Sequence, residues 1–581
     1  MGYKQSTNIV ILGALTAIVL TTVGSTVGVG SPHVALATAA AASHFRHLIT
    51  NTSSNFRHFT NATTFGHSSN ATAPTTATGT PIKHIIVIFQ ENNSFDHYFG
   101  TYPHAINPVG EPAFHYAAGT PTINNLLTPK NLLSPNNPNL SQPHRIDRSN
   151  PVTCNPIHAY KDEQESYDGG KLDKFVQFDG NVPDCQKTPN HNQVMDYYDG
   201  NTVTALWNYA QHFAMSDNFY GSTFGPSTPG HINLVSGNTH SAFCVDVNGN
   251  KLDDCTEGTH SGVVGNTLIA DIDPTYDICS EAPSAGSTIT TPSVYQVEMT
   301  GKNIGDLLTA KGISWGWFSG GFAIPTKGDC SSRSRHIDSS GNSVYNYYPD
   351  VEPFQYYKST ANPHHLPPTS VAKIGYADQA NHQYNLSDFW AAAKADNMPA
   401  VSFIKAPDYQ QGHPQSSDPL AEQTFLVETI NKIQRLPQWN NSAIILTWDD
   451  SGGWYDHVMP PTVSKSNDPK NDALYGPTIL CNPHPVVKIT QNDKCGYGPR
   501  IPMLIISPYT KVNFVDHTPT DFTSILKFIE DNWDLWQIGG GSLDVLAKPL
   551  DNMFDFKSQH TTPLFLNPST GQIRYMMSQV Q

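Results

Sequence analysis

Ile85-Ile86-Val87-Ile88-Phe89 is an unbroken apolar run, rich in β-branched residues. It passes directly into Gln90-Glu91-Asn92-Asn93-Ser94-Phe95-Asp96-His97-Tyr98-Phe99-Gly100. A strand with one wet face alternates apolar and polar residues; a continuous run marks a strand buried on both faces, as in a parallel sheet covered by helices. Comparable runs recur at 400–404, 443–447 and 501–506, with helical patterns between or after them at 202–212, 304–310, 421–436 and 522–533. Strands alternating with helices predict an α/β fold, a three-layer sandwich around a mostly parallel sheet. In such sheets ligands bind outside the carboxyl ends of the strands, so the residues that follow each run are the first candidates for chemistry.

Three segments meet that criterion or one like it. Glu91 and Asn92 offer a carboxylate and an amide oxygen directly after the first run, both good ligands for a hard cation. After the run at 443–447 comes Trp448-Asp449-Asp450-Ser451-Gly452-Gly453-Trp454-Tyr455-Asp456-His457-Val458. Adjacent carboxylates at a strand end repel unless a cation or proton lies between them, and the two glycines permit a tight turn with close backbone approach. The third segment is Phe224-Gly225-Pro226-Ser227-Thr228-Pro229-Gly230-His231-Ile232-Asn233-Leu234. Ser227 or Thr228 suits a helix N-cap with Pro229 in the first turn. A hydroxyl there sits near free N–H groups and the positive end of the helix dipole, a setting for a nucleophile that attacks an oxyanion. Taken singly, each segment is also ordinary turn or capping chemistry.

The rest of the chain narrows the class. Of 581 residues only 14% are charged, while 42 Gly and 44 Pro point to a loop-rich enzyme rather than a helical bundle. With 33 basic against 49 acidic residues the net charge is −16, which excludes a basic nucleic-acid footprint. Lys4 precedes a long apolar run from Ile9 to about Val29 and small residues through Ala42, so 1–42 reads as a signal peptide or an uncleaved N-terminal anchor. A secreted or cell-surface location follows. The even number of cysteines, eight and none in a CxxC pair, then favours disulfides. Neighbour-to-neighbour pairing is the simplest arrangement, with Cys481 and Cys495 closing one late loop. Residues 43–80 form a Ser/Thr/Asn-rich linker, 81–540 the main domain with a cap-like excursion at about 235–300, and 541–581 a C-terminal appendage.

Taken together, the three segments resemble the bacterial phosphoesterase family of acid phosphatases and phosphocholine-preferring phospholipases C. Residues 91–100 are similar to its ENRSFDHYFG-type opening motif, 447–458 to its second metal motif, and 225–231 to its nucleophile turn. The resemblance implies an alkaline-phosphatase-like core. It places Glu91, Asn92, Asp449 and Asp450 on metal-ligand positions, Ser227 on the nucleophile, and His158 and His413 on histidines at the phosphoryl or leaving group. It also makes His231 and His457 candidates for substrate binding. Oxygen donors alone favour one divalent ion, Ca, Mg or Mn, with Zn as the alternative. Three positions depart from the pattern: Gly230 stands for Asn, Gln164 for a second histidine and Asn93 for Arg. These departures weigh against phospholipid specificity. The expectation is therefore a broad acid phosphatase working through a phosphoserine, with a phospholipase C acting on membrane phospholipid as the alternative. A catalytically silent cell-surface binding protein is the reading from another class.

Overall fold

The computed structural model describes residues 77–574 apart from 188, 258–259, 281–294, 465, 467, 477–480 and 482–493. Residues 1–42, expected to be a signal peptide or anchor, and nearly all of the expected linker lie outside the described residues. Eight strands make the central sheet: β1 (His84–Gln90), β2 (Ala214–Ser216), β3 (Trp315–Ser319), β4 (Gln383–Asn385), β5 (Val401–Lys405), β6 (Ser442–Trp448), β7 (Met503–Ile506) and β8 (Phe514–Asp516). Their order is β4-β3-β5-β1-β6-β7-β2-β8, and every pairing is parallel except those of β7 with its two neighbours.

Helices α1 (Phe95–Phe99), α2 (Tyr160–Tyr167), α3 (Thr204–His212), α4 (Ser227–Ser236), α5 (Ile304–Lys311), α6 (Leu386–Lys394), α7 (Pro419–Ile433) and α8 (Phe522–Trp533) accompany the sheet. The pleat of β1 sorts the layers. Ile85, Val87 and Phe89 join one core with residues of α4, α5 and α8, while Ile86 and Ile88 join a second with residues of α1, α3, α6 and α7. This is the three-layer α/β arrangement expected from the apolar runs. Helix α7 starts where the sequence can stop its free N–H groups: Pro419 occupies the first turn and the Asp418 carboxylate accepts from Leu420 N at 2.7 Å and Ala421 N at 3.0 Å.

The long runs at the sheet centre are legible in the sequence, whereas the short or edge strands β2, β3, β4 and β8 are not. β3, Trp-Gly-Trp-Phe-Ser, is buried without the β-branched signature. β2 and β8 are three residues each, too short to show a period. The stretch after α4 contains small antiparallel sheets, Ala242–Asp246 with Lys251–Leu252 and Tyr295–Met299, and Cys255–Glu257 with His260–Val264 and Thr267–Leu268. The cysteines pair 154–185, 244–255, 279–330 and 481–495, each with its neighbour in sequence. Near the C-terminus the chain returns to α7, where Asn431 Nδ2 donates to Leu566 O and Gln434 Nε2 to Leu564 O. Among the described residues no helix is long and apolar enough to cross a membrane.

Candidate active site

Register assembles the site. β5, β1 and β6 are adjacent and parallel, with Phe89 opposite Lys405 and Gln90 opposite Trp448. Glu91 and Asp449 therefore leave the sheet side by side at its carboxyl edge. Asn92 adopts φ 58°, a left-handed conformation that Asn tolerates better than most side chains. Its N–H donates to Asp449 Oδ1 at 2.9 Å, and Asp450 N donates to the same oxygen at 2.8 Å. Gly452 and Gly453 take φ 61° and 73°; a Cβ on the first would stand 2.6 Å from Asn92 O, and on the second 2.1 Å from Ile157 O. Only glycine lets this turn press against both the first strand's loop and the loop that carries His158.

Helix α4 brings the hydroxyl. Pro226 occupies the N-cap, so Ser227 is the first helical residue rather than the cap. Its Oγ lies 3.2 Å from Glu91 Oε2, 3.2 Å from Asp450 Oδ2 and 3.5 Å from Asn92 Oδ1. Thr228 is differently engaged: its Oγ1 donates to Asp350 O at 3.1 Å and its N–H to Asp271 Oδ1 at 2.8 Å. Of the two hydroxyls only Ser227 faces the carboxylates.

His158 Nδ1 pairs with Pro156 O at 2.9 Å, which makes its Nε2 the acceptor from Asn92 Nδ2 at 3.2 Å. That bond turns the Asn92 amide oxygen toward Ser227. His413 Nδ1 pairs with Pro414 O at 2.7 Å, and burial pushes this imidazole below its ordinary value against the pull of Glu91. A cavity of about 250 Å³ is lined by Glu91, Ser227, His158 and His413 together with Asp271 and Asp350. A neighbouring hollow of about 630 Å³ shares His158 and Asp271. A larger cavity, about 870 Å³ between α5 and the segment after α8, shares none of these residues.

Two histidines sit elsewhere. His231 is buried beneath the carboxylates rather than on the cavity wall, edge-on to Phe89 at 4.8 Å between ring centres. Burial first, then Lys405, pushes it down to about 3, so the ring is neutral. Its Nδ1 donates to Ser227 O at 2.9 Å, and its Nε2 lies 3.7 Å from Glu91 Oε1 without a hydrogen-bond partner. His457 is farther removed in role. It pairs with Asp96 and Asn124 inside a network in which Arg500 Nη2 bridges Asp96 at 3.1 Å and Asp456 at 3.0 Å. That network ties α1 to the loop after β6 and does not line the cavity.

The electrostatics call for a cation. Burial, then mutual repulsion with Asp450 and Glu91, pushes Asp449 well above the ordinary carboxylate range. Burial, then Glu163 and Glu91, does the same to Asp450. Asp449 Oδ2 is buried without a hydrogen-bond partner, and with Glu91 and His231 its side chain offers ligand atoms all within 4.8 Å of one another. An orphaned oxygen beside an unpaired imidazole lone pair is what a divalent ion would satisfy, so the residues fit one.

Sequence reasoning missed two contributors. Lys405, the last residue of β5, is buried with its Nζ donating to Glu91 Oε1. Burial raises Glu91, but Lys405 first, with His231 and His413, outweighs it and holds the carboxyl at about 2. A charged residue closing an apolar run is the same signal that marks Glu91, so Lys405 was findable. Glu163 of α2 accepts from Gly225 N at 2.8 Å and from Ser451 Oγ, clamping the serine turn to the aspartate turn. The positions that depart from the family pattern have structural work. Asn93 Nδ2 donates to Glu91 O at 2.8 Å, and Gln164 is buried between Tyr160 O and Ala473 N.

The family model described as "Phosphoesterase family" matches residues 82–536. The non-hemolytic phospholipase C of Pseudomonas aeruginosa is 23% identical over 511 residues, covering 84% of this chain and 60% of the relative. Phospholipase C B of Mycobacterium tuberculosis is 22% identical over 466 residues, covering 78% of this chain and 73% of the relative. The chain thus spans about 60% of the length of the Pseudomonas enzyme. Among solved structures, a protein in the alkaline phosphatase superfamily from Vibrio parahaemolyticus aligns at TM-score 0.26 and 12% identity, over 87% of this chain and 90% of that one.

Proposed function

Because this chain belongs to the phosphoesterase family, we propose that it hydrolyses phosphate esters through a phosphoserine on Ser227, foremost as a broad-specificity acid phosphatase. The observation that carries the reading is one hydroxyl, at the start of a helix, within 3.2–3.5 Å of oxygens from Glu91, Asn92 and Asp450. Glu91, Asn92, Asp449 and Asp450 would hold one divalent ion, with His231 Nε2 as a further donor. Bound there, such an ion neutralises phosphoryl charge and favours the serine alkoxide.

The chain's own groups do the rest. Ser227 Oγ attacks phosphorus in line, forming the new P–O bond as the bond to the departing oxygen breaks, and its proton passes toward the Asp450 carboxylate. His413, protonated on Nε2, gives that proton to the leaving alcohol. His158 holds Asn92 in its orientation and lines the same cavity. Water then attacks the phosphoserine and gives a proton to the deprotonated histidine, while the proton held by the carboxylate returns to Ser227 Oγ as its bond to phosphorus breaks.

The names of the relatives favour a second reading, a phospholipase C that releases a phospho-alcohol from phospholipid. Four disulfides without a free cysteine support an extracytoplasmic location in either case. Incubation with p-nitrophenyl phosphate and with phosphatidylcholine vesicles, each with and without chelator, separates the readings. Chelator-sensitive release of p-nitrophenol is expected. Activity on phosphatidylcholine alone would select the phospholipase, and inactivity on both would leave a silent binding protein.

A further inference from the structure

A second set of ligand atoms lies apart from the oxygen-rich centre. His144, His191 and Asp196 present Nδ1, Nε2 and a carboxylate within 4.8 Å of one another. The fold makes the cluster in two ways. Ile146 N donates to Tyr197 O at 2.9 Å and Tyr197 N to His144 O at 3.0 Å, so one extended segment is laid beside the other. The short helical turn Gln193–Met195 carries the chain from His191 back to Asp196.

The spacing of His191 to Asp196 is that of a coordination sphere, and His144 stands slightly outside it. His191 Nε2 lies 3.0 and 2.9 Å from the two oxygens of Asp196, and His144 Nδ1 lies 3.7 Å from the nearer one. Metal bonds of about 2.0–2.2 Å at tetrahedral to octahedral angles require donor separations of roughly 2.9–3.6 Å. The carboxylate side chain is 4% exposed, yet among the described residues no lysine or arginine pairs with it. The imidazoles are 53% and 30% exposed, so an ion can enter from solvent and keep water in its remaining positions. Other polar contacts leave the ligand atoms usable. His144 N donates to Asp196 Oδ1 at 3.2 Å through one lone pair, and Asp196 O accepts from His97 Nδ1 at 2.7 Å.

We propose that His144, His191 and Asp196 form an accessory site for a borderline transition-metal ion of the zinc class. Two imidazoles and one carboxylate suit such an ion, whereas the Glu91–Asp450 centre, built mainly of oxygens, suits a harder one. The ion would staple the 144–146 segment to the 191–197 turn. That turn supports His97, whose ring stacks on Trp454 at 3.8 Å and 15°, beyond the paired glycines of the aspartate turn. The role is structural reinforcement behind the active site, not participation in it.

The test uses tag-free full-length protein stripped with chelator and compared with variants that keep the first centre, so that zinc taken up there cancels in the difference. Zn²⁺ binding is followed by calorimetry and metal analysis, and Co²⁺ by its visible absorption. Wild type is expected to take up one more equivalent of Zn²⁺ than the His144→Ala/His191→Ala double variant, and to gain more in Tm on zinc addition. Should the double variant fold poorly, the half-exposed His144→Ala alone should still lose the cobalt band. Equal zinc stoichiometry in wild type and either variant would overturn the site, whatever the outcome of the phosphatase assay.

Discussion

The Cα of Gly230 faces the carbonyl oxygen of Asp449 so closely that a Cβ there would stand 2.3 Å from it. Helix α4 thus lies directly on the backbone of the aspartate turn, and this contact sets Ser227 Oγ within 3.2 Å of Asp450 Oδ2. Glycine at this position is a packing requirement: the asparagine of the family pattern cannot enter unless the helix shifts. In most helices Gly→Ala stabilises by roughly 0.5–1 kcal/mol. Here Gly230→Ala should destabilise by about 1–3 kcal/mol, the usual cost of overpacking, and lower kcat. Urea unfolding measures the first; unchanged or increased stability would show that α4 can move off the turn freely.

Ser227→Ala should retain the fold and lose at least ~10³-fold in kcat/KM, since a displaced nucleophile has no substitute nearby. Thr228 is the control. Its hydroxyl is spent on Asp350 O, so Thr228→Val should cost about 0.5–1.5 kcal/mol of stability and keep turnover. Steady-state rates on p-nitrophenyl phosphate decide it. The reverse ranking would move the nucleophile to Thr228.

Lys405 keeps Glu91 ionised despite burial. In Lys405→Met the carboxyl would rise, and protons would compete with the cation for Glu91 at higher pH. The acid limb of the pH–rate profile should therefore shift upward, accompanied by destabilisation of about 3–5 kcal/mol from a broken buried pair. A profile that loses amplitude with no shift of its acid limb would assign Lys405 a purely structural part.

Glu422 provides a pH signature away from the centre. Burial pushes it up to about 8, against hydrogen bonds from Tyr98, Trp448 and Gln90 that favour ionisation. The unfolded chain releases this proton near pH ~4.3 while the folded chain keeps it up to about 8. Stability should consequently fall as pH rises between those limits, by up to ~1.4 kcal/mol per pH unit for this group, and be independent of it outside them. Glu422→Gln, neutral throughout, should flatten the decline between pH 5 and 8 in urea titrations. Identical slopes in the two proteins would exclude the assignment.

The sequence by itself determined the layered α/β class, because four apolar runs too continuous for half-wet strands leave no other way to bury both faces. It also made Glu91, Asn92, Asp449, Asp450 and Ser227 candidates, by their place at the ends of periodic elements and by the resemblance of the three segments, taken together, to the phosphoesterase family. The remainder was decided by tertiary structure. Register alone put Lys405 against Glu91, and no local pattern links α2 to the serine turn 62 residues later, where Glu163 meets Gly225. His457 and His231 lie within the motifs, whereas His158 and His413 were placed by the family resemblance alone. Only the packing of α1, α4 and Arg500 sends the first into an ion network, the second beneath the carboxylates, and the other two onto the cavity wall. A side chain's type and spacing are local properties; which face of which layer it meets depends on contacts between residues hundreds of positions apart.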